Sequence, residues 1–106
     1  MEESCLILTT VPDEQTAKKL ARNLVENRLA ACVTATSPCD SFYRWEGKLT
    51  EDRELVLLIK TRTSLFSSVE TMVNELHPYS IPELIALPII RGSTPYLEWL
   101  IKETES

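Results

Sequence analysis

The stretch from Ala31 to Thr61 limits most strongly how this chain can fold. It reads as two extended arms joined at Glu46-Gly47, a turn between segments rich in β-formers. Each arm would hold ~14 residues and reach roughly 45 Å at ~3.3 Å per residue. A compact domain of this chain length measures only about 35 Å across, from a radius of gyration near ~13 Å. The hairpin therefore overshoots the body that carries it. A bare two-stranded ribbon is marginal in water, and an open apolar edge invites pairing, so the arm length predicts association. Edge pairing between identical chains must close into a ring or run on as a fibre, and a cyclic homo-oligomer is the closed solution.

The rest of the chain supplies a body for that hairpin. Cys5 to Thr10 is a short apolar strand ended by Pro12-Asp13, and Asp13 can cap a helix whose apolar residues recur as Ala17, Leu20, Ala21, Leu24, Val25 and Leu29. Ala30–Thr36 and Ser41–Trp45 read as extended, with Pro38 between them removing a ladder donor and forcing a bulge or a break. The strand from Leu49 to Thr61 contains Leu55-Val56-Leu57-Leu58-Ile59, apolar on both faces. Such a run is buried on both sides, or buried on one and pressed against something foreign on the other. Ser64 can cap a second helix carrying Leu65, Val69, Met72, Val73 and Leu76, which His77-Pro78 stops. Glu83–Ile90 forms a fourth strand, and beyond Gly92 a last helix starts with Thr94 as cap and Pro95 in the first turn, burying Tyr96, Leu97, Leu100 and Ile101. The order βαββαβ plus a C-terminal helix, with right-handed crossovers, predicts an α+β ferredoxin-like domain spanning residues 1–106, its antiparallel sheet carrying a long central hairpin.

Composition excludes several classes of function. Sixteen acidic against eleven basic residues give a net charge of −5, and the basic residues are scattered apart from Lys18-Lys19, so neither nucleic acid nor an anionic membrane surface is an expected partner. The longest apolar runs fall far short of the ~20 residues that cross a bilayer. Met1-Glu2-Glu3 offers no positive n-region for a secretory signal, and three cysteines without a CxxC spacing suit a reducing compartment. The expected location is the cytoplasm.

Six residues stand out as candidates for chemistry, each with a plain structural alternative. His77, the only histidine, either caps the carbonyls of the helix it follows or ligates a metal such as copper or zinc. Cys32, in the small apolar setting Ala30-Ala31-Cys32-Val33, is a buried hydrophobe or a soft ligand. Lys60 ends an apolar strand, where it snorkels or points its charge into a cleft. Tyr43 and Trp45 flank Arg44 and so share one strand face, as core packing or as a ligand wall. Glu83, at a strand start, is by default a solvated carboxylate. Two widely separated glycines leave no phosphate loop or dinucleotide fingerprint. No nucleophile elbow occurs, and the apolar flanks of Cys32 argue against a Cys32–His77 dyad, so the chain is not expected to be an enzyme.

Taken in order, several segments resemble the CutA divalent-cation tolerance proteins: Thr10-Val11-Pro12, Leu29-Ala30-Ala31-Cys32-Val33, Tyr43-Arg44-Trp45-Glu46-Gly47-Lys48, Ile59-Lys60-Thr61, His77-Pro78-Tyr79, Pro82-Glu83 and Tyr96-Leu97-Glu98-Trp99. The resemblance covers nearly the whole chain. It implies a ferredoxin-like subunit assembled as a homotrimer through long strands, similar in architecture to the nitrogen-signalling trimers. It also implies a lateral cleft between subunits lined by Cys32, Tyr43, Trp45, Lys60, His77, Tyr79 and Glu83. Members of the family are associated with copper through a cysteine near the end of the first strand and two histidines before the Pro-Tyr step. Thr9, Leu76 and His77 stand at those positions here, so Cys32 with His77 would be a substitute set. Ser80 replaces the family's usual glutamate, and Thr34 its usual asparagine.

Two functions follow. One is a metal-homeostasis trimer binding copper or another divalent cation, Cu(II) through His77 and Cu(I) better through Cys32. The other is a non-enzymatic signalling or scaffold trimer binding a small metabolite or anion in the same cleft, with Lys60 as charge partner and the aromatic rings as walls. Both rest on association, so light scattering at micromolar concentration should give a multiple of the 12.1 kDa chain mass; a single-chain mass would refute the strand-length argument.

Overall fold

The computed structural model describes residues 2–105, and strand β4 (Lys48–Arg62) is its spine. Along the C-terminal half of β4, Leu55, Leu57, Ile59 and Thr61 are buried while Val56, Leu58, Lys60 and Arg62 are half-exposed. This period of two sends one set of side chains into the core and the other to the opposite sheet face. Strand β1 (Ser4–Val11) pairs antiparallel with it, setting Ile7 opposite Ile59 and Val11 opposite Leu55. Helices α1 (Glu14–Glu26) and α2 (Phe66–Leu76) cover that face with Ala17, Leu20, Leu24, Val69 and Val73. Burying each leucine contributes roughly 2 kcal/mol at ~25 cal/mol per Å².

Two short strands, β2 (Cys32–Ala35) and β3 (Cys39–Trp45), lie end to end along one edge of β4. The break expected at Pro38 falls between them, and Thr36 bridges it by donating its N–H to the Val56 carbonyl while its Oγ1 accepts the Val56 N–H. On the far edge, β5 (Ile85–Pro88) pairs antiparallel with β1, completing the order β2-β4-β1-β5. This is the expected ferredoxin-like arrangement. Strand β5 is shorter than the expected Glu83–Ile90 run, and all of its residues are exposed.

The distal half of β4 pairs only with β3. Glu46 and Gly47, at φ +49° and +77°, close this ribbon in a left-handed two-residue turn whose twist matches the strands. The molecule accordingly measures 44 × 25 × 24 Å, with one long axis.

Helix α3 (Thr94–Glu103) is held from the side of the sheet opposite α1 and α2. Arg62, whose parity on β4 points away from the core, donates from Nε and Nη2 to the hydroxyl and carbonyl of Thr104, while Leu100 is fully buried. A Cβ on Gly92 would meet the Leu97 side chain at 3.0 Å, so the glycine lets Leu97 pack closely against the segment that enters the helix. The cap is Ser93 rather than the expected Thr94.

The two expected caps differ in outcome. Asp13 caps α1 as expected, its Oδ1 accepting the Thr16 N–H at 2.7 Å, and those bonds hold its carboxyl below the usual range. Ser64 does not cap α2. Its hydroxyl donates to Glu2, and residues Thr63–Leu65 form a 3₁₀ turn before the helix starts.

Thr9 sits on the core face opposite Leu57, fully buried, and its hydroxyl has no hydrogen-bond partner among the described residues. A buried hydroxyl without a partner carries its full desolvation cost. The near-isosteric Thr9→Val should therefore raise stability by about 1 kcal/mol, read as a higher urea midpoint at constant m-value; a lower midpoint would show that the hydroxyl is satisfied in solution.

Candidate functional site

The candidate residues fall into two groups. At one end of β4, Lys60 faces Cys32 across the β2–β4 ladder. Its ammonium donates to the Thr34 hydroxyl at 2.7 Å and lies 3.8 Å from the Cys32 sulfur. At the other end, Tyr43 faces Thr50 and Trp45 faces Lys48. The ten positions of β4 between Thr50 and Lys60 correspond to roughly 33 Å at ~3.3 Å per residue. One chain therefore does not bring all seven expected cleft residues together. A cleft containing both groups needs more than one copy.

Tyr43 and Trp45 share a strand face as expected, but they are not core. They are 36% and 45% exposed, because that part of β3 lies on the ribbon beyond the reach of the helices. With Tyr79 and Ser80 they enclose a recess of about 250 Å³, and next to it Tyr43, Tyr79, Glu54, Glu83 and Thr10 line a hollow of about 410 Å³.

His77 stands behind this hollow. It follows α2 in extended conformation, and its ring is buried. Nδ1 accepts the Tyr79 N–H at 3.1 Å, so the ring proton lies on Nε2, which donates to the Thr10 carbonyl at 2.6 Å. The ring therefore bonds β1 rather than the carbonyls of its own helix, and both nitrogens are committed. Cys32 is nowhere in this network, so the expected His77–Cys32 metal pair is not assembled within one chain. Among the described residues, no three His, Cys, Asp or Glu side chains gather to hold a metal ion.

The fixed His77 positions Tyr79, whose ring lies 4.7 Å from the imidazole and whose hydroxyl donates to Glu54 Oε2 at 3.0 Å. Tyr43 donates likewise to Asp52. Glu54 is only 4% exposed although it is a carboxylate. Burial and the Glu54 bond push the Tyr79 phenol well up from its ordinary value, and the Asp52 bond pushes Tyr43 up to about 12. Both phenols thus remain donors through the physiological range. Sequence reading missed Glu54 and Asp52. The available signal was the parity of β4, which places Glu54 and Asp52 on the face of Val56 and Leu58, beside Tyr43.

An antiparallel α+β sheet with two helices on one face, one on the other and a projecting ribbon defines a ferredoxin-like domain of extended-hairpin type. Residues 5–103 match the family described as CutA1 divalent ion tolerance protein. The "Divalent-cation tolerance protein CutA" of Thermus thermophilus is 49% identical over 104 residues, covering 98% of this chain and 99% of that one. "Protein CutA" of Homo sapiens is 46% identical over 97 residues, covering 92% of this chain and 54% of its own length, so the chain spans about half of that relative. Among solved structures, CutA1 from Oryza sativa superposes with a TM-score of 0.95 at 42% identity, covering 98% of this chain and 95% of that one. The chain belongs to the CutA1 divalent ion tolerance family.

The cytoplasmic expectation does not hold. One relative is named chloroplastic, from Arabidopsis thaliana, and a structural neighbour from Archaeoglobus fulgidus is titled periplasmic. The physical reason lies in the thiols. Cys5 is buried, and burial pushes its thiol up, while Cys39 donates to the Glu54 carbonyl. A buried thiol such as Cys5 stays unpaired whatever the compartment, so the count of cysteines says little about location. Among the described residues, no helix is long and apolar enough to cross a membrane.

All three tyrosines have raised values, Tyr96 through burial. The sign follows: below pH 10 both folded and unfolded chains keep these protons, whereas above it only the folded chain does, so stability is lost as pH rises. Phenolate absorbance should stay low through pH 10, and the urea midpoint should fall between pH 10 and about 12. Ordinary titration centred at pH 10 would show that the Tyr43–Asp52 and Tyr79–Glu54 bonds are not formed in solution.

Proposed function

We propose that this chain is a divalent-cation tolerance protein acting as a homotrimer that binds copper or another divalent cation at a cleft between copies. Family membership supports the metal relation. The observation that carries the assembly is the apolar surface left open by one chain: Ile85 and Leu87 on the edge strand β5 are 51% and 43% exposed, and Leu49 on the ribbon is 79% exposed. A long unpaired ribbon and an apolar edge require covering.

A shared cleft also answers the chemistry. Potential ligands are dispersed within one chain, so the cation draws them from more than one copy. Cys32, half-exposed on edge strand β2, supplies a soft sulfur suited to Cu(I) once the Lys60 ammonium swings aside. His77 binds Cu(II) only by giving up a bond to Tyr79 or Thr10, and is therefore the weaker donor. The protein binds rather than catalyses in this reading, since its only histidine is committed as a positioning group. The metabolite alternative rests on Lys60, which forms no ion pair among the described residues.

Light scattering should give three chain masses, and Ile85→Asp should reduce the mass. Calorimetric titration of the parent with Cu(I) under anaerobic conditions should show binding that Cys32→Ser weakens at least ~10-fold, equivalent to about 1.4 kcal/mol. Unchanged copper binding in both Cys32→Ser and His77→Ala would overturn the copper site, and loss of an anion titration on Lys60→Ala would favour the metabolite reading.

A further inference from the structure

The ladder at the body end of β4 holds a pair of side chains whose joint chemistry metal binding does not use. Lys60 and Cys32 stand directly opposite each other across β2 and β4, and side chains so placed on one sheet face lie within reach of each other. The Lys60 ammonium lies 3.8 Å from the Cys32 sulfur. It is anchored there, because Nζ donates to the hydroxyl of Thr34 at 2.7 Å, and Thr34 shares the strand face of Cys32. That hydroxyl in turn lies 3.8 Å from the sulfur. The main chain fixes the pair further, the Ala31 N–H donating to the Lys60 carbonyl at 2.9 Å. All of these contacts are made within one chain by strand register, so a neighbouring copy laid over the edge leaves the pairing in place.

A thiol and an amine held side by side are the two halves of an oxidative cross-link. Of the three thiols, Cys5 is buried and Cys39 donates to the Glu54 carbonyl. Among the described residues, only Cys32 has a side-chain amine recorded beside it. Fixing two reactants in contact turns their encounter into an intramolecular step. The 3.8 Å separation is much longer than a covalent S–N bond, and one inserted oxygen atom spans more of it than direct bonding would. Dioxygen is small and uncharged, so it reaches a thiol that a neighbouring subunit closes to larger reagents.

We propose that Cys32 and Lys60 form a redox modification site, joined under dioxygen by an S–O–N bridge between Sγ and Nζ. The thiol gives up one hydrogen and the ammonium two, one of these three leaving to solvent as a proton. Dioxygen takes four electrons, two from sulfur and two from nitrogen. One of its oxygen atoms becomes the bridge, and the other leaves as water with the remaining two hydrogens. The bridge staples edge strand β2 to β4. It also withdraws the sulfur assigned above to Cu(I); that consequence rests on the copper reading, whereas the bridge itself rests on the geometry of one chain.

The test uses the full chain in its native assembly, freed of metal, kept in chelator and first reduced. After incubation in oxygenated buffer, mass spectrometry of the denatured chain should show a species with one oxygen gained and two hydrogens lost, absent from an anaerobic control. Proteolysis of that species should yield one linked peptide pair containing Cys32 and Lys60. Excess dithiothreitol should restore the parent mass, two molecules being oxidised per bridge and the bridging oxygen leaving as water. Cys32→Ser and Lys60→Arg should form no such species. Thr34→Val, which removes the anchor of the ammonium and leaves the core untouched, should slow its formation severalfold. The proposal is overturned by absence of the species in the oxygenated parent, by its presence in Lys60→Arg, or by gain of oxygen without loss of hydrogen, which marks oxidation of sulfur alone. The readout contains no metal, so a parent that binds no copper counts against the copper reading and leaves the bridge standing, whereas a parent that binds copper and forms no bridge fails this inference alone.

Discussion

Strand β4 has to satisfy two environments along one continuous backbone, and the rest of the molecule follows from that. Its C-terminal half is a central strand, hydrogen-bonded to β1 on one side and β2 on the other, with Leu55, Leu57 and Ile59 forming the floor of the helical core. Its N-terminal half is one rail of a ribbon that has left the core behind. The transition occurs at Glu54 and Leu55, where β1 ends and β3 takes over from β2. Backbone pairing cannot stop abruptly inside a sheet without orphaned polar groups, so the Thr36 side chain bridges the change of partner.

That transition is also where the chemistry collects. The end of β1, the segment after α2 and the root of the ribbon meet there, which brings Thr10, His77, Tyr79 and Glu54 into one hydrogen-bonded series. The buried imidazole is a rigid support: each nitrogen has one partner of fixed polarity, so the ring orientation and its tautomer are determined together. Tyr79 then presents its hydroxyl to a carboxylate that the strand register has already placed. The other candidate group, Cys32 with Lys60 and Thr34, belongs to the opposite end of β4 and touches none of these.

The second face of the sheet is only partly closed within the chain. Val56 and Leu58 lie on it, half-covered, and the apolar edge strand β5 is open. The both-faces apolar run in the sequence is thus the signature of a surface only partly closed by α3. Arg62 fastens that helix through Thr104 and also bonds Glu2, and the Ser64 hydroxyl together with that Arg62 bond holds the Glu2 carboxyl below the usual range. The local Ser64 cap signal fails there because Ser64 lies inside the 3₁₀ turn Thr63–Leu65, which moves the cap position of α2 to Leu65.

The sequence by itself determined the order of elements, the Asp13 cap, the break near Pro38, the turn at Glu46-Gly47 and the excess length of the central hairpin. Each of these is set by neighbours a few residues apart, through periodicity, ring constraint or backbone sterics. Family kinship was also legible, since short segments in fixed order carry it. Only the tertiary structure decided that His77 bonds a carbonyl 67 positions away, that Tyr79 meets Glu54, and that Cys32 and Lys60 stand apart from Tyr43 and Trp45. Those facts depend on strand register and on which face each side chain takes, and a shift of one residue would reverse them all. Local patterns fix what each segment becomes, whereas the meeting of distant side chains is fixed only when the sheet has closed.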